Sequence, residues 1–587
     1  MPETMTGAEM VVRALLDHGV TKLFGYTGGA ALPIYDALHA SQNQISHVRV
    51  RHEQGAVHMA EGYARSSPGK VGCVLVTSGP GVTNTVTGLQ DALCDSIPLV
   101  VISAQVPTHL IGNDAFQECD AVGITRPCTK HNYLVKRIED LPRVLHEAFF
   151  IATHGRPGPV LIDIPKDVQF NEGLYMLPTN SHPNYKPRKI DDKALDAIKY
   201  AVSLMLGAKR PVFYTGGGVI NSGPAACMLL RELVHLTGFP ITSTLMGLGA
   251  YHASGPHWLG MLGMHGTYEA NMAMHDCDVM ICIGARFDDR ITGRLDAFSP
   301  DSKKIHVDID PSSINKNVHV DVPIIGDCGE VLDAIIHELR PRINPSWRDN
   351  LGPWRRQIAM WNARNSLAYC LSETVIKPQQ AIQCLYELTK NRDTFITTGV
   401  GQHQMWAAQH YRFNDPNRLL TSGGLGTMGY GLPAAIGVQL AHPDALVVDI
   451  DGDGSFEMTL QQLAVAVQYR LPIKVLILNN SHDGMVRQWQ RLAHGGRFFE
   501  CINEGQPDYV ALAKAYGCAG IRCDTPQELG KSLRRMIDTS GPVVVDCVVD
   551  HKEICLPMIM SGKAHNDMML PDATASVELS KEGRAMV

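Results

Sequence analysis

Two oxygen-bearing side chains stand at the ends of two apolar runs late in the chain. The run at residues 445–450 breaks into DGDGS at 451–455, and the run at residues 473–478 ends in the pair Asn479-Asn480, with Asn480 twenty-seven residues after Asp453. A carboxylate and an amide oxygen, beside glycines that allow close approach of the main chain, suit a Mg²⁺ ion that takes further ligands from a substrate phosphate. Gly-Asp-Gly alone also occurs in plain turns, but the spacing to the asparagine pair favours the metal site.

The elements that must position these two side chains follow from the pattern of the same region. Both apolar runs are predicted to be buried parallel strands, because apolar residues dominate them without strict alternation. The stretch from Met458 to Tyr469 has helical spacing, so the region is predicted to be a strand–helix–strand unit. Ligands of such units bind beyond the carboxyl ends of the strands, where Asp453 and Asn480 are both expected to lie.

Two further motifs contain candidate residues for catalysis or ligand binding. RHEQGA at 51–56 places Glu53 between a strand and a helix, and the alternative interpretation is a carboxylate that the helix dipole alone favours there. TSGGLGTMGYGLP at 421–433 holds five glycines in thirteen residues. It is either a loop that needs positive φ angles or a surface whose amides surround an anion or a flat ring, which is favoured beside a Mg-diphosphate site.

Composition narrows the class of protein. The 587 residues are 45% hydrophobic and 19% charged, which is globular and too long for one core, so three domains of about 150–190 residues are expected. A net charge of −7 without a long basic run argues against nucleic acid as a partner. No apolar stretch approaches the roughly 18–20 residues of a membrane span. The first six residues are neither a signal peptide nor an Arg-rich transit peptide, so a cytoplasmic enzyme is expected, or one of an organelle matrix if a transit peptide is missing from this chain.

Fifteen cysteines are scattered without a C-x-x-C pair, which argues against a zinc site and favours a reducing compartment.

Strand-like and helix-like runs alternate in three segments, which predicts an α/β protein with three doubly wound, mostly parallel sheets. The predicted domains are residues 1–180, 190–345 and 376–550, followed by a loop-like tail, 551–587, that is expected to cap the active site. The predicted strands are residues 22–25, 45–50, 71–76, 98–103, 211–215, 240–244, 278–283 and 304–309. A helix is predicted from Gln54 to Arg65, and the Pro-rich stretch 178–187 is predicted to be a linker.

The chain resembles the thiamine-diphosphate (ThDP) enzymes and, within them, the acetohydroxyacid synthase (acetolactate synthase) family, over nearly its whole length. The blocks that carry the resemblance are FGYTGG at 24–29, RHEQGA at 51–56, TSGPG at 77–81, DAFQE at 114–118, GRPGP at 155–159, GARFDDR at 284–290, GQHQMW at 401–406 and GMVRQW at 484–489. The resemblance implies a pyrimidine-binding domain, a central Rossmann-like domain that binds FAD, and a diphosphate-binding domain.

The resemblance also implies roles at the ThDP site. Glu53 hydrogen-bonds the pyrimidine ring and favours the imino tautomer that removes the proton from thiazolium C2. Met428 is the apolar wedge that bends the cofactor. Asp453, Asn480 and the main-chain carbonyl of His482 hold Mg²⁺. The other implied ThDP contacts are Gly29, Val400, Gln402, His403, Gly426, Gly454, Ser455 and Met485.

Substrate recognition is implied for a separate group of residues. Arg286 matches the position that binds the carboxylate of the second ketoacid, for which a guanidinium fork is suited, and the alternative is an interdomain salt bridge. Trp489 matches the aromatic that favours 2-ketobutyrate as acceptor, and the alternative is core packing. The remaining implied residues near the reacting centre are Phe116, Gln117, Lys166 and Met485, of which Gln117 and Lys166 are candidate catalytic residues.

The middle segment of this family binds FAD without a redox role. The implied contacts are Arg156, Gly216, Gly217, Gly218, Thr244, Leu245, Met264, His265, Gly284, Arg286, Asp288, Arg290, Asp308, Ile309, Asp327 and Cys328. Three glycines alone indicate only a turn, but the ARFDDR block indicates FAD and separates this chain from the FAD-free catabolic acetolactate synthases.

The implied activity is the decarboxylation of pyruvate and transfer of its hydroxyethyl unit to a second 2-ketoacid. Because the family pairs the equivalents of Glu53 and Asp453 across subunits, a homodimer or homotetramer is expected, and a small regulatory subunit is a further expected partner. The alternatives are glyoxylate carboligase, which lacks the glutamate found at position 53, a pyruvate oxidase, a specialised inhibitor-tolerant paralogue, and a catalytically silent binding or regulatory subunit.

The chain departs from the family pattern at several positions. Thr27 replaces a proline, and Val57 and Ala104 replace glycines. Ser481-His482-Asp483 replaces residues that are more often bulky or amides. Our hypothesis is that these changes alter inhibitor sensitivity or the acceptor pocket, because every residue that the chemistry requires is present.

Overall fold

The computed structural model describes residues 3–176, 190–343 and 345–571, with no side-chain description for residues 345 and 346. The predicted linker, 178–187, and the end of the predicted tail, 572–587, lie outside the described residues.

The first segment alternates strands and helices. Its strands are β1 (Glu3–Thr6), β2 (Lys22–Gly25), β3 (Ser46–Arg49), β4 (Gly72–Val76), β5 (Leu99–Gln105), β6 (His131–Leu134), β7 (Pro159–Pro165) and β8 (Glu172–Tyr175). Its helices are α1 (Gly7–Asp17), α2 (Leu32–Ala40), α3 (Glu53–Ser66), α4 (Pro80–Thr83), α5 (Val86–Asp95), α6 (Ala121–Thr125), α7 (Leu141–Thr153) and α8 (Lys166–Phe170). In the described residues a parallel sheet has the order β3-β2-β4-β5-β7-β6, and β1 pairs with β8 antiparallel.

The second segment repeats the alternation with a different strand order. Its strands are β9 (Pro211–Thr215), β10 (Ile241–Ser243), β11 (Trp258–Met261), β12 (Val279–Ile283), β13 (Lys303–Asp308) and β14 (Val322–Ile325). Helices of this segment and of the stretch after it are α9 (Asp192–Gly207), α10 (Gly217–Asn221), α11 (Pro224–Thr237), α12 (Tyr268–Asp276), α13 (Asp289–Thr292), α14 (Cys328–Leu339) and α15 (Gly352–Asn362). The parallel order β11-β10-β9-β12-β13-β14 is that of a dinucleotide-binding fold.

The third segment has the same strand order as the first. Its strands are β15 (Thr394–Thr398), β16 (Leu419–Leu420), β17 (Leu446–Gly452), β18 (Lys474–Asn479), β19 (Ala519–Cys523) and β20 (Val543–Val548). Its helices are α16 (Pro378–Thr389), α17 (Gln402–His410), α18 (Gly431–Ala441), α19 (Asp453–Glu457), α20 (Leu463–Gln468), α21 (Gly484–Ala493), α22 (Tyr509–Tyr516) and α23 (Pro526–Asp538). The order β16-β15-β17-β18-β20-β19 reverses between β15 and β17, just as the first sheet reverses between β2 and β4.

The predicted fold class is therefore confirmed, and the predicted strands lie within two residues of their observed bounds. The single helix predicted from Met458 to Tyr469 is wrong. Thr459 leaves helical geometry (φ −135°, ψ 14°), and its hydroxyl donates to the carbonyl of Gly429 at 2.8 Å, so a short 3₁₀ turn, Leu460–Gln462, precedes helix α20. No helix in the described ranges is both long and apolar enough to span a membrane.

Helices α3 and α18 join the first segment to the third through one continuous apolar core. Glycines permit the close approach: a β-carbon on Gly62 would overlap the carbonyl oxygen of Ala434, and one on Gly437 would overlap that of Met59. Polar contacts continue the same boundary, because the N–H of Arg51 donates to Gln462 at 3.1 Å. Glu53 begins α3, so this packing also determines where Glu53 lies.

Candidate active site

The carboxyl ends of β17 and β18 bring the predicted metal-binding side chains to one edge of the third sheet. The two strands are parallel neighbours, and Gly452 pairs with Leu478. Asp453 follows β17 as the first residue of α19, and Asn480 follows β18. Both lie where the pattern of strands predicts, next to the point at which the strand order reverses, which is the usual ligand position in such sheets.

Asp453 is almost completely buried, with 1% of its surface exposed, and burial raises the pKa of its carboxyl to about 6. Asn503 donates to its Oδ2 at 2.9 Å, and the Gln506 amide donates to the same oxygen. Asn480 Oδ1 accepts the N–H of His482 at 3.0 Å. A carboxylate, an amide oxygen and a main-chain carbonyl, the predicted ligands of Asp453, Asn480 and His482, are the hard oxygen types that Mg²⁺ prefers. No sequence motif singled out Asn503 or Gln506.

The residues after β15 supply polar groups beside this edge. Gln402 donates to Gln488 at 2.9 Å and accepts from Asn480 at 3.4 Å. The buried His403 Nε2 lies 3.4 Å from Asp451 Oδ1, yet it has no hydrogen-bond partner among the described residues. A buried ring nitrogen without a partner fits a position beside a phosphate oxygen, because such a group costs stability unless it is paired.

The glycine-rich loop at 421–433 confirms one of the two interpretations that the sequence left open, a loop that needs positive φ angles. Gly426 and Gly429 adopt positive φ angles of 77° and 85°, which explains two of the glycines. The N–H of Gly429 donates to Ser455 Oγ at 3.0 Å, which ties the loop to α19. Met428 lies beside Gly454, since its Cε is 3.6 Å from a β-carbon built there. The loop therefore holds Met428 beside the sheet edge that carries Asp453 and Asn480.

A cavity of about 950 Å³ lies next to this edge and reaches all three segments. Every residue assigned to FAD lines it, from Arg156 of the first segment to Cys328 of the second. Val400, Met485 and Trp489 of the third segment line it as well. Its position at the end of β9 and β12, where the central strand order reverses, and its volume suit a dinucleotide.

Glycines form a cradle at the base of this cavity. The N–H of Gly218 donates to the carbonyl of Gly284 at 2.9 Å, and a β-carbon on Gly218 would lie 2.7 Å from Gly284 Cα. Any side chain at position 218 would fill the space between the ends of β9 and β12. Asp308 ends β13 at the same rim, and burial raises the pKa of its carboxyl to about 6. These features fit the phosphates and hydroxyls of a bound dinucleotide.

Arg286 points from the cavity toward the glycine-rich loop, because its Nη2 is 3.1 Å from a β-carbon built on Gly424. The alternative of an interdomain salt bridge is not observed, since Arg286 makes no ion pair within 4.0 Å among the described residues. Its half-buried guanidinium is therefore available to a ligand carboxylate.

The remaining candidate residues lie at the carboxyl edge of the first sheet. Glu53 is mostly buried and accepts a hydrogen bond from Asn84 at 2.9 Å. Gln117 has a φ of 62°, and Lys166 begins α8. Phe116 is 88% exposed. Among the described residues that line the cavity, none of these four is present, so a single chain does not bring them onto it.

Gly29 opens a short turn after β2, at the same edge of the first sheet.

The described part of the tail, residues 551–571, lies against α21 and the cavity. Cys555 donates its N–H to Gln488 at 2.8 Å, and Ile559 donates to the carbonyl of Met264 at 2.8 Å. Met558 and Met560 pack on Trp489. Trp489 thus has two environments: it packs against the tail on one side and lines the cavity on the other.

The structure shows the surroundings of two residues that depart from the family pattern. Val57 fits because residue 88 is glycine, where a β-carbon would lie 2.5 Å from Val57 Cβ. The Asp483 carboxylate lies beside the sheet edge that carries Asp453, with Oδ1 2.7 Å from a β-carbon built on Gly454. Asp483 also adds a negative charge near Asp453, which contributes to the raised pKa of that carboxyl.

Comparison with known proteins gives matches along the whole chain. Three family descriptions match, namely thiamine pyrophosphate enzyme N-terminal TPP binding domain at residues 5–124, central domain at 198–335 and C-terminal TPP binding domain at 399–547. The chain is 49% identical over 574 residues to acetolactate synthase isozyme 3 large subunit of Escherichia coli (strain K12), which covers 97% of this chain and 99% of that protein. It is 47% identical to the acetolactate synthase large subunit of Haemophilus influenzae, with 96% and 98% covered. It is 45% identical to the mitochondrial acetolactate synthase catalytic subunit of Saccharomyces cerevisiae, with 96% and 84% covered.

Proposed function

This chain belongs to the acetolactate synthase family of thiamine-diphosphate enzymes, and from that membership we propose that it decarboxylates pyruvate and joins the remaining two-carbon unit to a second 2-ketoacid. The product is 2-acetolactate from a second pyruvate, or 2-aceto-2-hydroxybutyrate from 2-ketobutyrate. This reaction begins branched-chain amino-acid biosynthesis. The observation that carries the proposal is the pair Asp453 and Asn480 at the reversal point of the third sheet, beside a cavity lined by Arg286 and Trp489.

We propose that Asp453, Asn480 and the His482 carbonyl hold Mg²⁺, and that the ion ties the diphosphate of ThDP to this edge. His403 Nε2, which has no hydrogen-bond partner among the described residues, and the Gln402 amide contribute the neighbouring polar contacts. ThDP supplies the electron sink that decarboxylation of a 2-ketoacid needs. The chain contributes position: the loop around Met428 fixes the orientation of the cofactor.

Glu53 is the proposed proton-handling group at the pyrimidine ring. Its carboxylate is mostly buried, and the Asn84 amide fixes one of its oxygens. A carboxylate held in this way can hold or accept a proton at a ring nitrogen that it contacts. Gln117 and Lys166 lie at the same edge of the first sheet and are proposed to act at the reacting centre, with Phe116 and Met485 at the substrate.

Arg286 and Trp489 are the proposed acceptor site. The guanidinium has no protein carboxylate within ion-pair distance among the described residues, so it is free to bind the carboxylate of the second ketoacid bidentately. Trp489 presents its ring to the cavity while Met558 and Met560 support its other side. An aromatic held in place in this way favours an acceptor with an additional methyl group, because the methyl buries more apolar surface.

FAD is the proposed ligand of the cavity, with a structural role. The cavity reaches residues of all three segments, so a dinucleotide there would stabilise their arrangement. We propose the three segments, 1–180, 190–345 and 376–550, as the domains that it links.

We propose an oligomer in which Glu53 of one chain meets the metal-binding edge of another. The candidate residues of the first segment do not line the cavity of their own chain, and exposed apolar side chains lie on the same segment: Leu110, Phe116, Phe170 and Leu174. Such exposed apolar groups are typical of an interface between subunits. A homodimer provides this contact between Glu53 of one chain and the metal-binding edge of another. A homotetramer provides the same contact more than once. Two relatives are named large subunits, and we propose a smaller regulatory subunit and a cytoplasmic location for this chain too.

The decisive experiment is an assay of acetolactate formed from pyruvate, with and without 2-ketobutyrate, in the presence of ThDP, Mg²⁺ and FAD. We expect both products, with no requirement for oxygen or quinone. Consumption of pyruvate that depends on an electron acceptor would instead identify an oxidase. Absence of turnover in a preparation that binds all three cofactors would identify a silent subunit.

A further inference from the structure

Helix α5 of the first segment reaches the glycine-rich loop of the third through two carboxyl groups. Asp95, whose side chain is 1% exposed, accepts the main-chain N–H of Gly423 at 2.9 Å and that of Gly424 at 2.7 Å. Asp91 is completely buried and accepts hydrogen bonds from the hydroxyl of Thr427 at 3.0 Å and from that of Ser422. These bonds join residues more than 320 positions apart in the chain.

The stretch 423–426 of the loop has little packing of its own to determine its shape. Residues 423–426 are exposed, and the glycines of this stretch have no side chains to pack. Glycine also gives the main chain more freedom than any other residue, so an ordered loop needs contacts from outside. The Ser422 hydroxyl also restrains the next part of the loop, because it accepts the N–H of Gly426 at 3.0 Å and that of Thr427 at 2.8 Å. Met428 follows directly.

A buried network behind Asp91 keeps these carboxyl groups in place. Glu61 is completely buried and lies 2.6 Å from His58 Nδ1. Burial, and then the charge of Glu61, raises the pKa of Asp91 to about 8, so this carboxyl is protonated near neutral pH. Arg65 donates to the carbonyl of Thr421 at 2.6 Å and lies 3.9 Å from Asp95. The loop is therefore held from its first residue onward by groups of α3 and α5.

We propose that Asp91 and Asp95 are positioning residues for thiamine diphosphate, which fix the loop at 422–427 so that Met428 holds the cofactor in its bent conformation. The inference rests on the proposed role of Met428. Under this proposal, the first and third segments of one chain must pack together for the cofactor to adopt its productive geometry. The carboxyl groups do not contact the reacting atoms, and their effect reaches them through the main chain of the loop.

The test compares Asp91→Ala and Asp95→Ala with the amide variants Asp91→Asn and Asp95→Asn. Asp36→Ala, an exposed aspartate of α2, is the control. The measurements are the Kd for ThDP with Mg²⁺, the near-ultraviolet circular dichroism of the bound cofactor, kcat and KM for pyruvate, and the melting temperature of the holoenzyme.

We expect each alanine variant to lower kcat about 10- to 100-fold, as for other small misplacements of a reacting group. The cofactor dichroism should change in both variants. For Asp91→Ala, KM for pyruvate should stay within about twofold of the wild-type value, because Asp91 is not among the described residues that line the cavity with Arg286 and Trp489. Asp91→Asn should restore most of the activity, since a neutral carboxyl and an amide both offer an acceptor oxygen. Asp95→Asn should restore less, because it keeps one acceptor oxygen for two N–H donors.

Wild-type kcat and cofactor dichroism in both alanine variants would overturn the proposal. A loss of activity that follows the melting temperature, with unchanged dichroism, would also overturn it. Should Asp91→Ala fail to fold, Ser422→Ala and Thr427→Val remove the bonds to Asp91 from the side of the loop. Should Asp95→Ala fail to fold, Asp95→Asn still weakens the bonds from Gly423 and Gly424. If the wild-type protein makes no acetolactate, the proposed function fails, but cofactor binding and dichroism still test the positioning role.

Discussion

Gly437 of α18 and Met59 of α3 are in direct main-chain contact, because a β-carbon on Gly437 would overlap the carbonyl oxygen of Met59. Gly62 has the same relation to Ala434 on the opposite helix. The two helices therefore pack closer than side chains would allow. Since α3 begins at Glu53 and α18 follows the glycine-rich loop, this contact sets where Glu53 lies relative to the glycine-rich loop of the same chain.

Replacing Gly437 with alanine should destabilise the boundary between the first and third segments. An added methyl group in a packed interior typically costs about 1–3 kcal/mol. Thermal unfolding measures the effect. Gly207→Ala is the matched control, because Gly207 ends α9 and a β-carbon there has no heavy atom within 4 Å. Equal melting temperatures for the two variants would contradict the close packing.

Glu53→Gln should abolish most of the turnover while leaving the fold and the cofactor affinity in place. Loss of a positioned proton-transfer group typically lowers the rate about 10²- to 10⁴-fold. Acetolactate formation and ThDP binding should be measured on the same preparation. A variant that retains at least half of the wild-type rate would remove Glu53 from the mechanism.

Asp453→Ala should weaken the binding of Mg²⁺ and ThDP together. Loss of the single anionic ligand should cost at least 1.4 kcal/mol, which is about tenfold in affinity. FAD content should not change, because Asp453 does not line the cavity. Asp444→Ala, an exposed position, serves as the control. Chelation of the metal from the wild-type protein should reproduce the effect, and unchanged ThDP affinity after chelation would argue against the metal site.

Trp489→Leu should lower the preference for 2-ketobutyrate over pyruvate as acceptor. One methyl group in an apolar pocket is worth about 1–3 kcal/mol of discrimination, so a change of about tenfold or more in the product ratio is expected. The ratio of the two products from mixed substrates measures it. If the ratio is unaltered while Trp489→Leu lowers the melting temperature, Trp489 has only its packing role against Met558 and Met560.

The buried carboxyl of Asp163 should make stability depend on pH. Burial raises its pKa from 3.8 to about 7, although Ser103 and Gln105 donate hydrogen bonds to it at 2.6 and 2.9 Å. The folded protein then keeps a proton that the unfolded chain loses near pH 4, so the contribution is full below about pH 4 and falls as the pH rises to about 7. The loss is on the order of 4 kcal/mol.

Asp163→Asn removes this titration. Melting temperatures of the variant and the wild-type protein, measured from pH 5 to 8, should differ by an amount that changes with pH up to about pH 7. A constant difference would show that Asp163 does not titrate in this range.

The pattern of apolar residues predicts the strand ends well. It fails to predict a helix boundary where a contact with a distant part of the chain interrupts the helix. Asp453 and Asn480 were placed correctly because each follows an apolar run, and parallel strands end at a common edge. The helix predicted from Met458 to Tyr469 is observed only from Leu463 onward, because Thr459 bonds the glycine-rich loop 30 residues earlier in the chain. Periodicity reports on one element at a time, whereas this bond joins two.

The contacts that shape the site also could not be predicted from the sequence alone. Nothing in the neighbourhood of Asp95 indicates that its carboxyl meets Gly423, and nothing near Asn503 indicates that it meets Asp453. Such pairings depend on how the segments pack, and they have no periodic signature.

Sequence pattern alone is enough to predict the candidate reacting groups, the three α/β segments and the strand ends that carry Asp453 and Asn480. Which candidate residues share a cavity depends on how the segments pack: Arg286 and Trp489 line it, while Glu53 and Phe116 do not line the cavity of their own chain. The physical reason is that strand and helix periods are set by local main-chain geometry. The meeting of segments is set by side-chain packing over hundreds of residues, as in the contact between Gly437 and Met59.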